Sequence, residues 1–264
     1  MMYLIVVALL VLVIARESTS LRMPRSAVSF NVLVGKNEKR SALRASSSEP
    51  VDIPYASFQD IQFSIMGGGA FSLALAKVLS YKGIKSTLLV RDQKVADEIN
   101  EKRFHPKYLT DCEVPKTMWA TSDPEACLKD ANYVIHAVPM QASREFLEKN
   151  KQYIPHNAPI LSVTKGVEQI TFQLMNDIIE ETLGVDKRAA FLSGPSFARE
   201  IMEGKATAVV IASKDDTLSS ELSEILSSVE FRCHTARDVK GVELGGAIKN
   251  VIALAAGMCE GLGM

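Results

Sequence analysis

The chain has 264 residues, with 30 Lys and Arg against 31 Asp and Glu, four cysteines and four histidines. A charge this balanced supplies no field for nucleic acid, and none is expected as a partner; the scattered cysteines and histidines suggest neither a disulfide framework nor a metal site, which leaves small-molecule chemistry as the favoured class. The length allows one large domain or two smaller ones, each able to bury a core.

Residues 3–15 are almost wholly apolar, a run shorter than the roughly 20 residues that span a bilayer and suited to a signal-peptide core. A short N-terminal membrane anchor is the alternative. In residues 16–48, Arg16, Arg22, Arg25, Lys36, Lys39, Arg40 and Arg44 outnumber Glu17 and Glu38 among many serines, the composition of a transit peptide. Together these segments read as a targeting leader over residues 1–51. It resembles the bipartite presequence that sends proteins to complex plastids through the secretory route, with the mitochondrion or the endoplasmic reticulum as alternative destinations.

From Ile61 the pattern changes. A short apolar run ends in Gly67-Gly68-Gly69 and passes directly into Ala70-Phe71-Ser72-Leu73-Ala74-Leu75-Ala76, which reads as strand, tight turn, helix. Gly67 lets the chain turn sharply, and Gly69 lets the backbone approach a pyrophosphate held at the helix N-terminus. Ser72 stands where the third glycine of G-x-G-x-x-G would be. Strands are predicted at 86–90, 133–138, 159–163 and 189–192, helices at 93–101, 141–151 and 171–183, and a further apolar run at 206–212. This alternation predicts an α/β fold, a Rossmann-like doubly wound parallel sheet over residues 54–236, with its site at the carboxyl ends of the strands.

The loop residues at those ends are the candidates. Arg91-Asp92 closes the second strand about 20 residues beyond the glycines, where an acid takes the ribose hydroxyl of NAD and an arginine meets the 2′-phosphate of NADP. Arg91 is read as the cofactor contact. Val138-Pro139 ends a strand in an apolar edge suited to a nicotinamide. Lys165 directs a cation into the crevice. In Ser193-Gly194-Pro195-Ser196-Phe197-Ala198, backbone N–H groups and the Ser196 hydroxyl are placed to hold an anion or a substrate hydroxyl. Residues 239–257 form a long apolar run rich in Gly and Ala, predicted as a helix buried against close neighbours. Lys249 is out of place there unless its charge is used, and desolvation is expected to lower its pKa. Asn250 beside it offers an amide hydrogen bond.

Five segments together resemble the bacterial and plastid type of NAD(P)-dependent glycerol-3-phosphate dehydrogenase: residues 67–76, Ala137-Val138-Pro139, Thr164-Lys165-Gly166-Val167-Glu168, residues 193–198 and residues 242–251. Two departures stand in the first, Phe71 and Ser72, where the family usually has tryptophan and glycine. The resemblance implies NAD or NADP as cofactor, dihydroxyacetone phosphate and glycerol 3-phosphate as substrates, and Ala70, Phe71, Arg91 and Ala198 as cofactor contacts. It further implies Lys165 as a contact to both cofactor and substrate, Gly194, Ser196 and Asn250 at the substrate, and Lys249 as the proton-transferring residue, with Lys165 lowering its pKa. It also implies that residues 237–264 begin an all-α substrate domain that continues past Met264 in the family, so the chain is expected to be a fragment or an incomplete gene product, and a homodimer when complete. A related hydroxyacid or ketopantoate-type dehydrogenase and a nucleotide-binding module without catalysis are the alternatives.

Overall fold

The computed structural model describes Phe58 and residues 60–263; the expected leader lies outside them. Among these residues, eight strands and eight α-helices follow the order β1 Gln62–Met66, α1 Ala70–Ser80, β2 Lys85–Leu89, α2 Gln93–Lys102, β3 Met118–Thr121, α3 Pro124–Leu128, β4 Tyr133–His136, α4 Met140–Asn150, β5 Ile160–Ser162, α5 Met175–Leu183, β6 Ala189–Ser193, α6 Ala198–Met202, β7 Thr207–Ser213, α7 Asp216–Leu226, β8 Phe231–Ala236 and α8 Val239–Gly261, with a short 3-10 turn at Lys151–Tyr153 after α4. They build one sheet in the order β3-β2-β1-β4-β5-β6-β7-β8. The order reverses between β1 and β4, the topological switch point at which an open α/β sheet forms its crevice. Met66 is paired with His136, so the two strands end level there.

Alternation along the strands sorts the core onto two faces. Phe63, Ile65 and Ile135 pack with α1 and α7 on one side, and Met66 and Val134 pack with α3 and α5 on the other. The doubly wound α/β fold is as expected, with one difference: β6 and β7 pair antiparallel. The only helix between them is α6, five residues long and so about 7.5 Å. The seven residues of β7 span about 23 Å. A helix that short cannot carry the chain back along the sheet for a parallel return, so the chain turns over and comes back alongside β6.

Four elements are not legible in the sequence: β3, α3, α7 and β8. β3 is a four-residue edge strand with Trp119 largely exposed. The helix expected from Thr171 starts at Met175 instead. Phe172 has φ +57°, the left-handed conformation that interrupts a helix, and the Asp177 carboxylate accepts the Leu174 N–H at 3.3 Å where the helix begins.

The largest correction concerns α8. Only Val239, Glu243 and Gly246 of its 23 residues are buried. Beyond its first two turns Val251, Leu254 and Met258 are each about two-thirds exposed, so among the described residues this helix lacks the close neighbours expected for it.

Candidate active site

At the switch point β1 runs into its three glycines, and geometry requires two of them. Gly67 has φ +112°, and a Cβ there would lie 2.7 Å from the Ala137 carbonyl oxygen. A Cβ on Gly68 would lie 2.8 Å from Val90 Cγ1. Gly69 is the N-cap of α1, without a side-chain cap, and a Cβ there would meet nothing within 4 Å. The first N–H groups of α1, which have no partner within the helix, therefore open onto a shallow cradle with the positive end of the helix dipole behind it. That cradle fits a pyrophosphate. Ser72 is fully buried, and its Oγ has no partner among the described residues; Ala70 and Phe71 are half-buried at the mouth. Arg91 is exposed at the end of β2. Asp92 caps α2 instead of facing the site, its carboxylate accepting the Lys94 N–H at 2.9 Å.

Lys165 follows β5 on the far side of the crevice. Its Nζ lies 5.7 Å from the centroid of the Phe71 ring, a cation–π distance that joins it to the start of α1. Its loop is held from α4. Arg144 pairs with Glu168 at 3.0 Å, and Gln141 donates to the Val167 carbonyl at 2.9 Å and accepts from the Gln169 N–H at 3.0 Å. Thr164 Oγ1 donates to the Val138 carbonyl at 2.8 Å, fixing the end of β5 against the Val138-Pro139 edge. Val138 is buried and Pro139 caps α4.

α8 closes the other wall. A Cβ on Gly246 would stand 2.9 Å from Ser193 Oγ and 3.6 Å from Lys165 Cγ, so the helix lies close against both side chains there. Lys165, Thr164, Ser193, Glu243 and Gly246 line a narrow cleft. Burial lowers the Lys165 pKa to about 8, and the charge of Lys249 adds to the effect. The desolvating surroundings expected from the helix of Lys249 are absent: Lys249 is half-buried and Asn250 is exposed. Gly194 approaches β7 so closely that a Cβ would lie 2.9 Å from the Ala208 carbonyl oxygen. Ser196 is buried, with its Oγ 3.4 Å from the Gly194 carbonyl it donates to; α6 begins at Ala198 with Phe197 as N-cap.

Glu243 is a site residue that sequence reasoning missed. It is buried, its Oε1 accepts the Asn176 N–H at 3.2 Å, and its Oε2 has no partner among the described residues. Burial raises its pKa to about 7, against the opposing pull of the Asn176 and Met175 N–H groups at the start of α5; Asp177 raises it further and Lys214 lowers it. A signal was present: Val239, Glu243 and Gly246 stand at i, i+4 and i+7, one helical stripe.

The arrangement thus brings Phe71, Lys165, Ser193 and the first turns of α8 around one crevice, with Arg91 outside it at the end of the neighbouring strand. Residues 62–219 match the family described as NAD-dependent glycerol-3-phosphate dehydrogenase N-terminus, and residues 238–264 match the C-terminus of the same description. The chain is 41% identical to the chloroplastic NAD(+) glycerol-3-phosphate dehydrogenase 2 of Arabidopsis thaliana over 76% of its own length and 48% of that protein's. It is 39% identical to the NAD(P)+ glycerol-3-phosphate dehydrogenase of Halothermothrix orenii, over 76% of this chain and 59% of the relative. Among solved structures, the glycerol-3-phosphate dehydrogenase of Coxiella burnetii superposes with a TM-score of 0.71 at 33% identity, covering 76% of this chain and 62% of the other. The chain therefore spans about half to three-fifths of the length of these relatives. A glycine cradle at the switch point, a lysine across the crevice and a family match over most of the described residues agree: the chain belongs to the NAD-dependent glycerol-3-phosphate dehydrogenase family.

Proposed function

We propose that the protein interconverts dihydroxyacetone phosphate and sn-glycerol 3-phosphate with NAD or NADP, and that it supplies glycerolipid synthesis in a plastid as a homodimer. The observation that carries the chemistry is Lys165, which stands between Phe71 at the mouth of the cradle and Gly246 on α8. The plastid assignment is supported by the leader composition and by one chloroplastic relative.

In this reading the open N–H groups of Gly69 and Ala70 take the pyrophosphate, Phe71 and Ala198 flank the cofactor, and Arg91 meets the adenine ribose. The cofactor, when bound, supplies or accepts the hydride. Lys165, a cation below about pH 8, holds negative charge on the substrate and on the oxygen that becomes an alkoxide. Gly194, Ser196 and Asn250 hold the remaining substrate oxygens. Lys249 delivers the proton to the C2 oxygen in reduction and removes it in oxidation. Family membership favours this substrate pair over the hydroxyacid and ketopantoate alternatives.

Replacing Lys249 by Met keeps much of the apolar stem and removes the proton, so reduction of dihydroxyacetone phosphate is expected to fall by about 100-fold or more while NADH binding holds. Retention of more than about a tenth of the activity would transfer the role to Lys165. Arg91→Ala is expected to weaken NADPH by about tenfold or more and NADH little, because only NADPH loses a charge-assisted contact; equal losses would make Arg91 an adenine-side packing residue. The alternative is nucleotide binding without turnover, in which the cradle at Gly67 and Gly68 is used and the half-buried Lys249 is not. Saturable NADH binding with no turnover of either substrate would select it.

A further inference from the structure

Beyond His136 the ladder between β4 and β5 runs out. Its final pairing sets His136 beside Ser162, and the Val163 N–H closes it on the His136 carbonyl at 3.0 Å. Pro139 has no N–H to extend it. Side-chain hydroxyls fasten the turn that follows. Thr164 Oγ1 donates to the Val138 carbonyl at 2.8 Å from the β5 side. Ser143, in the first turn of α4, donates its hydroxyl to the carbonyls of Val138 at 3.3 Å and Pro139 at 3.1 Å.

The Ser143 hydroxyl is itself held. Ser143 and His136 are both fully buried, and His136 Nε2 lies 2.9 Å from Ser143 Oγ. The single hydroxyl proton is directed at the two carbonyls, so Oγ accepts here and the ring N–H sits on Nε2. The other tautomer would bury an N–H on Nδ1, which has no partner among the described residues, and a buried donor left unmade is costly. Burial pushes the His136 pKa down to about 3, so the ring stays neutral. The Phe146 ring, tilted at 59° with its centroid 6.3 Å away, packs beside it.

The turn lies against the glycine cradle. A Cβ on Gly67 would stand 2.7 Å from the Ala137 carbonyl oxygen and 3.3 Å from the Val138 nitrogen. β2, which Arg91 follows, flanks β1 on one side and β4 flanks it on the other. A dinucleotide with its pyrophosphate at the start of α1 and its adenine ribose on the Arg91 side therefore lays its nicotinamide half on the β4 side, over residues 137–139.

We infer that His136 and Ser143 are positioning residues for the nicotinamide half of the cofactor: the ring N–H fixes the Ser143 hydroxyl, and the hydroxyl fixes the carbonyls of the Val138-Pro139 edge on which that half lies. The inference rests on the dinucleotide reading above and adds to it two buried residues that act through the edge. An edge fastened before the ligand arrives spares binding the cost of ordering it.

The test titrates NADH and ADP-ribose against the parent chain, Ser143→Ala, His136→Leu and the double variant. ADP-ribose shares the adenosine and pyrophosphate of NADH and lacks the nicotinamide. The parent is expected to bind NADH the more tightly. Ser143→Ala should raise the Kd of NADH about tenfold, the scale of a buried hydrogen bond left unmade, and that of ADP-ribose by less than about twofold. His136→Leu keeps bulk and should show the same selective loss to a smaller degree. The double variant should lose no more than Ser143→Ala alone, because the histidine acts through that hydroxyl. Where His136→Leu does not fold, Ser143→Ala, which removes one oxygen, carries the test. Parent-like NADH binding by Ser143→Ala, or equal losses for NADH and ADP-ribose as a merely structural role would give, overturns the inference. So do additive losses in the double variant. A parent that binds ADP-ribose as tightly as NADH overturns it and leaves the dinucleotide reading standing, whereas a parent that binds neither brings down both.

Discussion

Two helices in this chain are built from similar residues and are packed in opposite ways. α1 reads AFSLALAKVLS, and seven of its eleven residues are buried. α8 reads VKGVELGGAIKNVIALAAGMCEG, equally rich in Ala, Gly, Leu and Val, and only three of its 23 residues are buried, all within the first two turns. The difference teaches what a small-residue helix discloses. Its composition says that close packing is possible; the neighbours decide whether it happens. α1 has its own sheet beneath it, whereas α8 meets the sheet through its first turns, at Val239, Val242, Glu243 and Gly246.

Substitutions at matched residue types should separate the two regions. The largest effect is expected at Gly67→Ala, which adds a methyl 2.7 Å from the Ala137 oxygen at φ +112°. The backbone strain alone costs about 1–2 kcal/mol. Since the turn must open to relieve the clash, nucleotide affinity should fall by about 100-fold or more in an NADH titration. Parent-like binding would show that the turn is not the cradle.

Glu243→Gln comes next and probes the stripe that anchors α8. The folded pKa of Glu243 is raised from 4.5 to about 7, so the folded state holds its proton more tightly than the unfolded state. That contribution to stability is complete below about pH 4.5 and is lost as pH rises through 7, leaving a penalty on the order of 3 kcal/mol above it. Glutamine carries no such penalty. Melting curves should show the variant more stable than the parent near about pH 8, with the gap closing toward about pH 5. Parallel curves would mean that the carboxylate finds a partner for its second oxygen.

The smallest effect is expected at Gly257→Ala, where a Cβ meets nothing within 4 Å. Alanine in an open helical position should add up to about 1 kcal/mol of helix stability, read as a small gain in helicity by circular dichroism. A loss would reveal that this face of α8 is packed against something.

Much of the dinucleotide half is legible in the sequence because its signals are local. Gly67 and Gly69 follow an apolar strand directly, and Lys165 directly follows another, so the site residues sit where chain order alone puts them. What cannot be read depends on partners distant in sequence. Glu243 gains its place from Asn176 on α5, a pairing that leaves no mark in the neighbouring residues. The apolar helix around Lys249 predicts desolvation there, yet the burial falls on Lys165, whose helix-free loop is enclosed by Phe71 and Gly246. The antiparallel β6–β7 pair is hidden because the length of α6, not the strand composition, sets the direction of return.

The most direct measurement is isotopic. NADH carrying deuterium at the transferable C4 position is incubated with the protein and dihydroxyacetone phosphate, and the product is read by mass spectrometry and proton NMR. The expected product is sn-glycerol 3-phosphate with deuterium at C2, formed at a rate that Lys249→Met lowers by about 100-fold. Bound NADH with no labelled glycerol 3-phosphate, or label that appears undiminished in the Lys249→Met variant, would contradict this chemistry.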